Sequence, residues 1–534
     1  MNRKTVSRGV FLSDLAVLTY LAAFKLLLHF CFNSYYGYQR DELYFIACGE
    51  HLAWGYVDVG PLAMWLGRLS REVLGESLFA LRFFPAVAGA ATVFLTGLLA
   101  REFGAKRWGQ FLAALTVIIA PVWLQSGNIL ALPSLEPFFW VLGAYLVVRI
   151  LKEDGDKENG DCPQRPKGDG TVPVFRPSRT WLLVGVVAGF GLLNKPSMVF
   201  FGGGLALGLL LTPHRKHFAS KWLWLGGLVA LLIVSPFIYW QMSNDWATVR
   251  FLIGMNRTQM RRIPRLMFLI GQVIYVHPFN APIWLAGLLW LLIAKAARPF
   301  RALAWIYLVP LAVMVAIQSK IYYLAPAYPM LLAAGACVVE GFLAKRRASW
   351  PKAAIPAALV LGGVVTVPVG LPVLPIDKLD AYVDAVTFGA VANAYEVTGT
   401  FHDQHGWEEQ VATVAEVYHG LPPADRDNCI LFARNFGEAG AIDFYGPEHG
   451  LPKAYSVHQN YYFWGPPPDG KVTIVVGVSR ERLESIFADI EEAAVATCEG
   501  CMPYENNLPI FVCRDQRTPY KALWPILLEV AFRN

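Results

Sequence analysis

Runs of about twenty apolar residues recur along the first 373 positions, and no other feature limits the possible folds as strongly. A helix needs roughly 20 such residues to cross about 30 Å of hydrocarbon. Eleven segments meet or approach that requirement, at 11–30, 79–99, 108–124, 135–151, 180–195, 197–212, 222–240, 267–293, 302–317, 326–343 and 353–373. The pair around Lys195 is short enough to be re-entrant rather than two crossings. Only 16% of residues are charged, against about 25% in soluble proteins. The expected class is a mainly α, polytopic membrane protein with about eleven transmembrane helices.

The first run follows Arg3, Lys4 and Arg8, is long for a signal sequence and lacks a small-residue cleavage site after it, so it is expected to be a retained helix. The net charge of +6 would suit nucleic acid, but the basic residues lie in short loops between apolar runs. Placing the N-terminus in the cytoplasm puts Arg101, Lys106, Arg107, Arg215, Lys216, Lys221, Lys295, Arg298, Arg301, Lys345, Arg346 and Arg347 on the same side. Nucleic acid is thereby excluded as a partner. An odd number of spans then leaves residues 374–534 outside. Residues 152–179, charged and rich in Gly and Pro, are expected to be a disordered cytoplasmic loop.

One outside loop breaks the charge pattern. Arg250, Arg257, Arg261, Arg262 and Arg265 lie between the seventh and eighth spans. Topology did not demand them there, so an anion is their expected partner.

After Pro368, Pro372 and Pro375 the pattern changes. Cys429–Ala433 and Val472–Val478 predict strands, and Arg480–Ala496 predicts an amphipathic helix. A small soluble α/β domain over 374–534 follows, with 1–373 as the membrane domain. Cys429, Cys498, Cys501 and Cys513 fall outside, where disulfides persist. Cys498-x-x-Cys501 alone is a weak redox or zinc signal. One structural disulfide, Cys501–Cys513 or Cys498–Cys513, is the expectation.

The chemistry concentrates in the first outside loop, 31–78, where Asp41 and Glu42 open a stretch with helical spacing running to Trp54 and Asp58 follows 16 positions after Glu42. This helix is expected to lie along the membrane surface, with a second around Arg68 to Arg71. Acids at a helix N-terminus can simply cap it. They can also serve as general bases. Glu136 begins the fourth span beside Pro137, and Lys195 interrupts an apolar stretch. Ionisable residues at membrane depth are costly and mark function, although a lysine can snorkel to the interface. Lys320, Tyr322 and Tyr323 stand between the ninth and tenth spans, where tyrosines also anchor interfaces.

These residues have a familiar order. The Asp41-Glu42 pair after the first span, the segment Trp54-Gly-Tyr-Val-Asp58-Val-Gly-Pro-Leu62, and the later Lys195 and Lys320-Ile-Tyr-Tyr-Leu-Ala-Pro326 segments resemble bacterial members of the dolichyl-phosphate-mannose–protein mannosyltransferase family. That family belongs to the C-fold membrane glycosyltransferases, which include the lipid A aminoarabinose transferases. The resemblance implies inverting transfer of a hexosyl or pentosyl group from a polyprenyl-phosphate sugar to a hydroxyl of a lipid, envelope glycan or protein. It implies Asp41 as base with Glu42 orienting it. It further implies Glu136, Lys195, Lys320, Tyr322 and Tyr323 as substrate ligands; Arg257 and Arg261, whose guanidinium forks suit phosphate oxygens, and Asp58, which suits a sugar hydroxyl, are further substrate-binding candidates from the residues themselves. No metal or other cofactor is predicted, with a divalent cation left open at Asp58. The expected location is the bacterial inner membrane. One departure stands out: relatives carry Lys-Pro-Pro or His-Pro-Pro where this chain has Val59-Gly60-Pro61. Asn435–Gly446 and Ser456–Pro466 also resemble the family's C-terminal domain, and their Tyr, Trp, Asn and His suit either acceptor recognition or packing. A transporter or flippase of an anionic or lipid-linked substrate is the alternative. It is disfavoured because no internal repeat is found.

Overall fold

A computed structural model describes residues 13–158, 179–258, 263–346, 349–387, 389, 395–468 and 470–532, with only the backbone for 153–158, 257–258 and 395–396. The predicted loop 152–179 falls mostly outside this set.

Each of the eleven expected segments contains an apolar helix. Among the described residues six are long enough to cross a membrane alone: Asp14–Phe32, Phe83–Glu102, Leu132–Lys152, Lys221–Ser243, Ile321–Arg346 and Pro351–Gly370. Arg265–Tyr275 and Pro278–Ile293 make a seventh only as a pair bent by 90°. Four more, Arg107–Ile119, Thr180–Asn194, Met198–Leu210 and Ala302–Ile317, are apolar but shorter. Leu132–Lys152 and Ile321–Arg346 form the centre of the bundle, while Lys221–Ser243 and Pro351–Gly370 present exposed faces of Leu228, Leu231, Leu232, Leu361 and Val364. Only lipid suits such faces. The protein is a multi-pass membrane protein.

Without a hydrophobic drive between helices in lipid, close backbone approach has to supply the packing. A Cβ on Gly287 would lie 2.0 Å from the carbonyl oxygen of Leu331, and one on Gly335 would lie 1.9 Å from that of Ile283. Helices Ala281–Ile293 and Tyr328–Arg346 therefore touch through glycine on both sides.

The C-terminal part is built on a five-stranded sheet. Its strands are β1 (Cys429–Ala433), β2 (Ala454–Tyr455), β3 (Val472–Val476), β4 (Phe487–Ala496) and β5 (Leu508–Gln516), in the order β2-β1-β3-β5-β4. β1 is parallel to both β2 and β3, whereas β5 is antiparallel to β3 and β4. β3, Val-Thr-Ile-Val-Val, is buried throughout, as a central strand should be.

Two expectations are corrected here. Arg480–Ala496 is not one helix: Arg480–Leu483 makes one turn, and Phe487–Ala496 is the edge strand β4. Its Ala and Glu favour helix locally, but pairing with β5 decides the outcome. Asp489, Glu491 and Glu492 then charge an edge that would otherwise invite another strand. The disulfide joins Cys498 to Cys501, with Cα atoms 6.0 Å apart. Cys513 is a free, buried residue of β5, held in register opposite Thr473 and Ile490. The ladder fixes it inside the sheet, away from the loop that carries the other two.

The sheet domain does not stand apart from the membrane domain. Helix Phe436–Tyr445 packs on the first-loop helix Arg40–Glu50. Leu43, Tyr44, Ala47 and Met64 share one apolar cluster with Trp407, Phe436, Val472 and Ile474.

Candidate active site

The first-loop helix runs from Arg40 to Glu50, four residues short of the expected end at Trp54. A capping box starts it: the Gln39 side chain accepts from the Asp41 amide at 2.7 Å, and the Glu42 carboxylate accepts from the Gln39 amide at 2.9 Å. Helix Leu62–Leu74 follows, where a second surface helix is expected.

Asp41 and Glu42 meet opposite fates. Glu42 is fully buried and saturated. It takes a two-pronged ion pair from Arg82, with Nε to Oε1 at 2.8 Å and Nη2 to Oε2 at 2.6 Å, and Oε1 also accepts from the Leu130 amide at 2.8 Å. Arg82 spends its remaining donors on the carbonyls of Asn33 and Gly37 and on Gln404. Glu42 is thus a fixed strut between the loop, the second span and the C-terminal domain. Asp41 is half-buried, and among the described residues its carboxylate makes no hydrogen bond or close ion pair. Burial pushes its pKa up, Arg40 and Lys320 pull it down, and Asp403 and Glu42 add to the upward push.

Asp58 sits on a turn closed by the Tyr56 amide donating to the Val59 carbonyl at 3.1 Å. The turn presses on the end of helix Thr180–Asn194, because a Cβ on Gly60 would lie 2.1 Å from the Leu193 carbonyl oxygen. The glycine that departs from the relatives' motif is what allows this approach. Tyr44 donates to Asp58 Oδ1 at a long 3.4 Å. Burial, reinforced by the charge of Asp41, pushes Asp58 up to about 7.

Lys195 lies where two apolar helices break. Pro196 disfavours helical backbone at the residue before it, and Lys195 is extended, with φ −152° and ψ 131°. Its ammonium reaches Glu136 Oε2 at 2.8 Å and lies 4.2 Å from the centre of the Tyr323 ring and 5.9 Å from that of Tyr322. Ser197 donates to the other oxygen of Glu136. Lys195 and Glu136 therefore neutralise one another, both side chains almost fully buried. Lys320 is half-buried and, among the described residues, its ammonium has no hydrogen bond or ion pair. Burial lowers its pKa, Asp41 raises it, and Arg40 and Lys195 lower it further.

Asp41, Asp58, Glu136, Lys195, Lys320, Tyr322 and Tyr323, far apart in sequence, thus come to one region through these mutual contacts and charges. Arg261 and the side chain of Arg257 lie outside the described residues. Arg250, from the same basic loop, is bound to Glu529 at 2.5 Å and is not part of the cluster. The sequence reading missed Arg82, Arg40, Asp403 and Tyr504. Arg82 had one signal: a basic residue at the end of a span that the charge bias assigns to the outside, where basic residues are not expected.

A family model described as dolichyl-phosphate-mannose-protein mannosyltransferase matches residues 58–158 and 174–240. The crystal structure of ArnT from Cupriavidus metallidurans in the apo state superposes with a TM-score of 0.56 at 16% identity, covering 92% of this chain and 97% of that one. ArnT from the same organism bound to undecaprenyl phosphate gives 0.55 at 15%, with the same coverage. At such identities the likeness establishes the fold. A comparison with curated protein sequences gives no match. Fold and family model together define the chain as a membrane glycosyltransferase with the C-fold. More narrowly, the matches bear out its resemblance to the dolichyl-phosphate-mannose–protein mannosyltransferases.

Proposed function

We propose that the protein transfers a sugar from a polyprenyl-phosphate donor to an acceptor hydroxyl on the extracytoplasmic side of a bacterial inner membrane. The N-terminus is then cytoplasmic and the domain 374–534 extracytoplasmic. One observation carries the reading: Asp41 and Lys320 lie within reach of one another's charge, and among the described residues neither the Asp41 carboxylate nor the Lys320 ammonium has a hydrogen bond or ion pair, whereas Glu42 is paired with Arg82 and Glu136 with Lys195. A free carboxylate beside a free ammonium suits a reaction that needs a base and an anion ligand at once.

In this reading Asp41 takes the acceptor's hydroxyl proton. The oxygen attacks the anomeric carbon from the face opposite the phosphate, so the configuration inverts. The carbon–oxygen bond to phosphate breaks, and its electron pair leaves with the polyprenyl phosphate. Lys320 binds the phosphate oxygens that gain charge. Lys195 holds Glu136 and, over Tyr323, is the second cation for that phosphate. Asp58, pushed by burial and the charge of Asp41 up to about 7 and so about half protonated at neutral pH, is suited to hydrogen-bond a sugar hydroxyl. Glu42 keeps the helix in place.

The test is donor turnover by the purified protein in membranes, with a panel of radiolabelled polyprenyl-phosphate sugars and crude envelope extract as acceptor. Asp41→Asn is expected to lower kcat about 10²–10⁴-fold while remaining folded. Turnover that survives the substitution would remove Asp41 as base and make Glu136 the next residue to examine. Absence of turnover by the wild type with every donor would favour transport instead.

A further inference from the structure

Among the described residues the carboxylate of Asp41 makes no hydrogen bond, so its position is set by the backbone on either side. Both preceding residues are held by the C-terminal domain. The Asp403 carbonyl accepts from the Arg40 amide at 3.2 Å, and the Asp403 carboxylate accepts from Gln39 Nε2 at 3.5 Å. The Arg40 guanidinium lies 5.0 Å from the Phe436 ring and 5.5 Å from the Tyr504 ring, and its Nη1 donates to the Tyr504 hydroxyl at 3.1 Å. That hydroxyl in turn donates to Asp403 Oδ1 at 2.8 Å, closing a ring of contacts around Arg40. Gly437 makes room for the arginine, since a Cβ there would lie 2.4 Å from Arg40 Cγ.

The clamp is itself braced. Tyr504 rides on the loop that begins at the Cys498–Cys501 disulfide, and Arg434 donates to its carbonyl at 3.0 Å. His402 Nδ1 contacts the Gly500 carbonyl at 2.6 Å, and Gly406 lies against the disulfide. The turn carrying Asp403 is thus held between this loop and the first-loop helix.

We infer that Asp403 and Tyr504 are positioning residues for Asp41, acting through Gln39 and Arg40, so that the extramembrane domain sets the geometry of the membrane site. The inference rests on the reading of Asp41 as the base.

Full-length Tyr504→Phe and Asp403→Asn in lipid nanodiscs test it by two independent readouts. The first is amide hydrogen exchange. Exchange over residues 37–50 is expected to accelerate in both variants, while β3 and β5 keep wild-type protection. The second is kinetics: kcat falls about tenfold with the donor KM unchanged, the signature of a misaligned group rather than lost binding. Wild-type exchange over 37–50 in both variants overturns the clamp. So does accelerated exchange with unchanged kcat in a protein whose Asp41→Asn variant is inactive. If wild type turns over no donor, or Asp41→Asn stays active, the functional reading has failed, and the exchange data alone then decide whether the clamp exists.

Discussion

Asp41 and Glu42 are adjacent acids with different work, and stability measurements should separate them. Glu42 and Arg82 are both fully buried and paired. Arg82→Met strands a buried carboxylate and is expected to cost about 3–5 kcal/mol, read as a large drop in Tm in detergent. Asp41→Asn removes no side-chain hydrogen bond found among the described residues and should unfold close to wild type. The sequence made this helix start and its acids legible. It could not say which acid was free, because the partner that consumes Glu42 stands 40 positions away. Asp58 offers a test by pH. An unfolded aspartate titrates near 4, while in the folded protein burial and Asp41 push Asp58 up to about 7. Between those values the folded state binds more protons than the unfolded chain, so stability falls as pH rises through that window. Asp58→Asn lacks this loss. Its Tm relative to wild type should therefore climb between about pH 4 and pH 7, and parallel curves would mean that Asp58 is ionised across the range.

At the scale of elements, the apolar helices were legible because lipid leaves few alternatives for long apolar runs. The edge strand Phe487–Ala496 was not, since its Ala- and Glu-rich sequence carries a helical preference that only the distant β5 overrides. The disulfide was misjudged for a related reason: nothing local shows that Cys513 is locked inside β5. The observed Cys498–Cys501 bond closes a very short loop, for which chain entropy alone gives about 2 kcal/mol. Replacing both cysteines with serine should thus lower the Tm of the C-terminal sheet domain by a few degrees without abolishing its fold. A fall as large as that of Arg82→Met would mean that the bond organises more than its own loop.

The whole molecule is less divisible than its composition suggests. Past the change in pattern near residue 374, helices Ile376–Thr387 and Trp407–Gly420 still precede the sheet, which begins at Cys429, and the apolar cluster beneath the sheet is completed by Leu43, Tyr44, Ala47 and Met64 from the loop after the first span. Helix Phe436–Tyr445 meets that loop so closely that a Cβ on Gly440 would lie 3.0 Å from the backbone of Leu43. Contacts some four hundred positions apart leave no periodic trace, which is why the union of the two parts could not be read in advance. Buried apolar surface is worth about 25 cal/mol per Å², so residues 374–534 alone would expose a face that the intact chain covers. Expressed by itself, this segment is expected to bind a hydrophobic dye and to unfold over a broad range. A fusion that carries residues 37–66 ahead of it on a flexible linker should bind less dye and regain a sharp transition, because it restores the missing side of the core. A sharp transition and no dye binding by 374–534 alone would show that the sheet domain completes its own core and that the loop merely rests upon it.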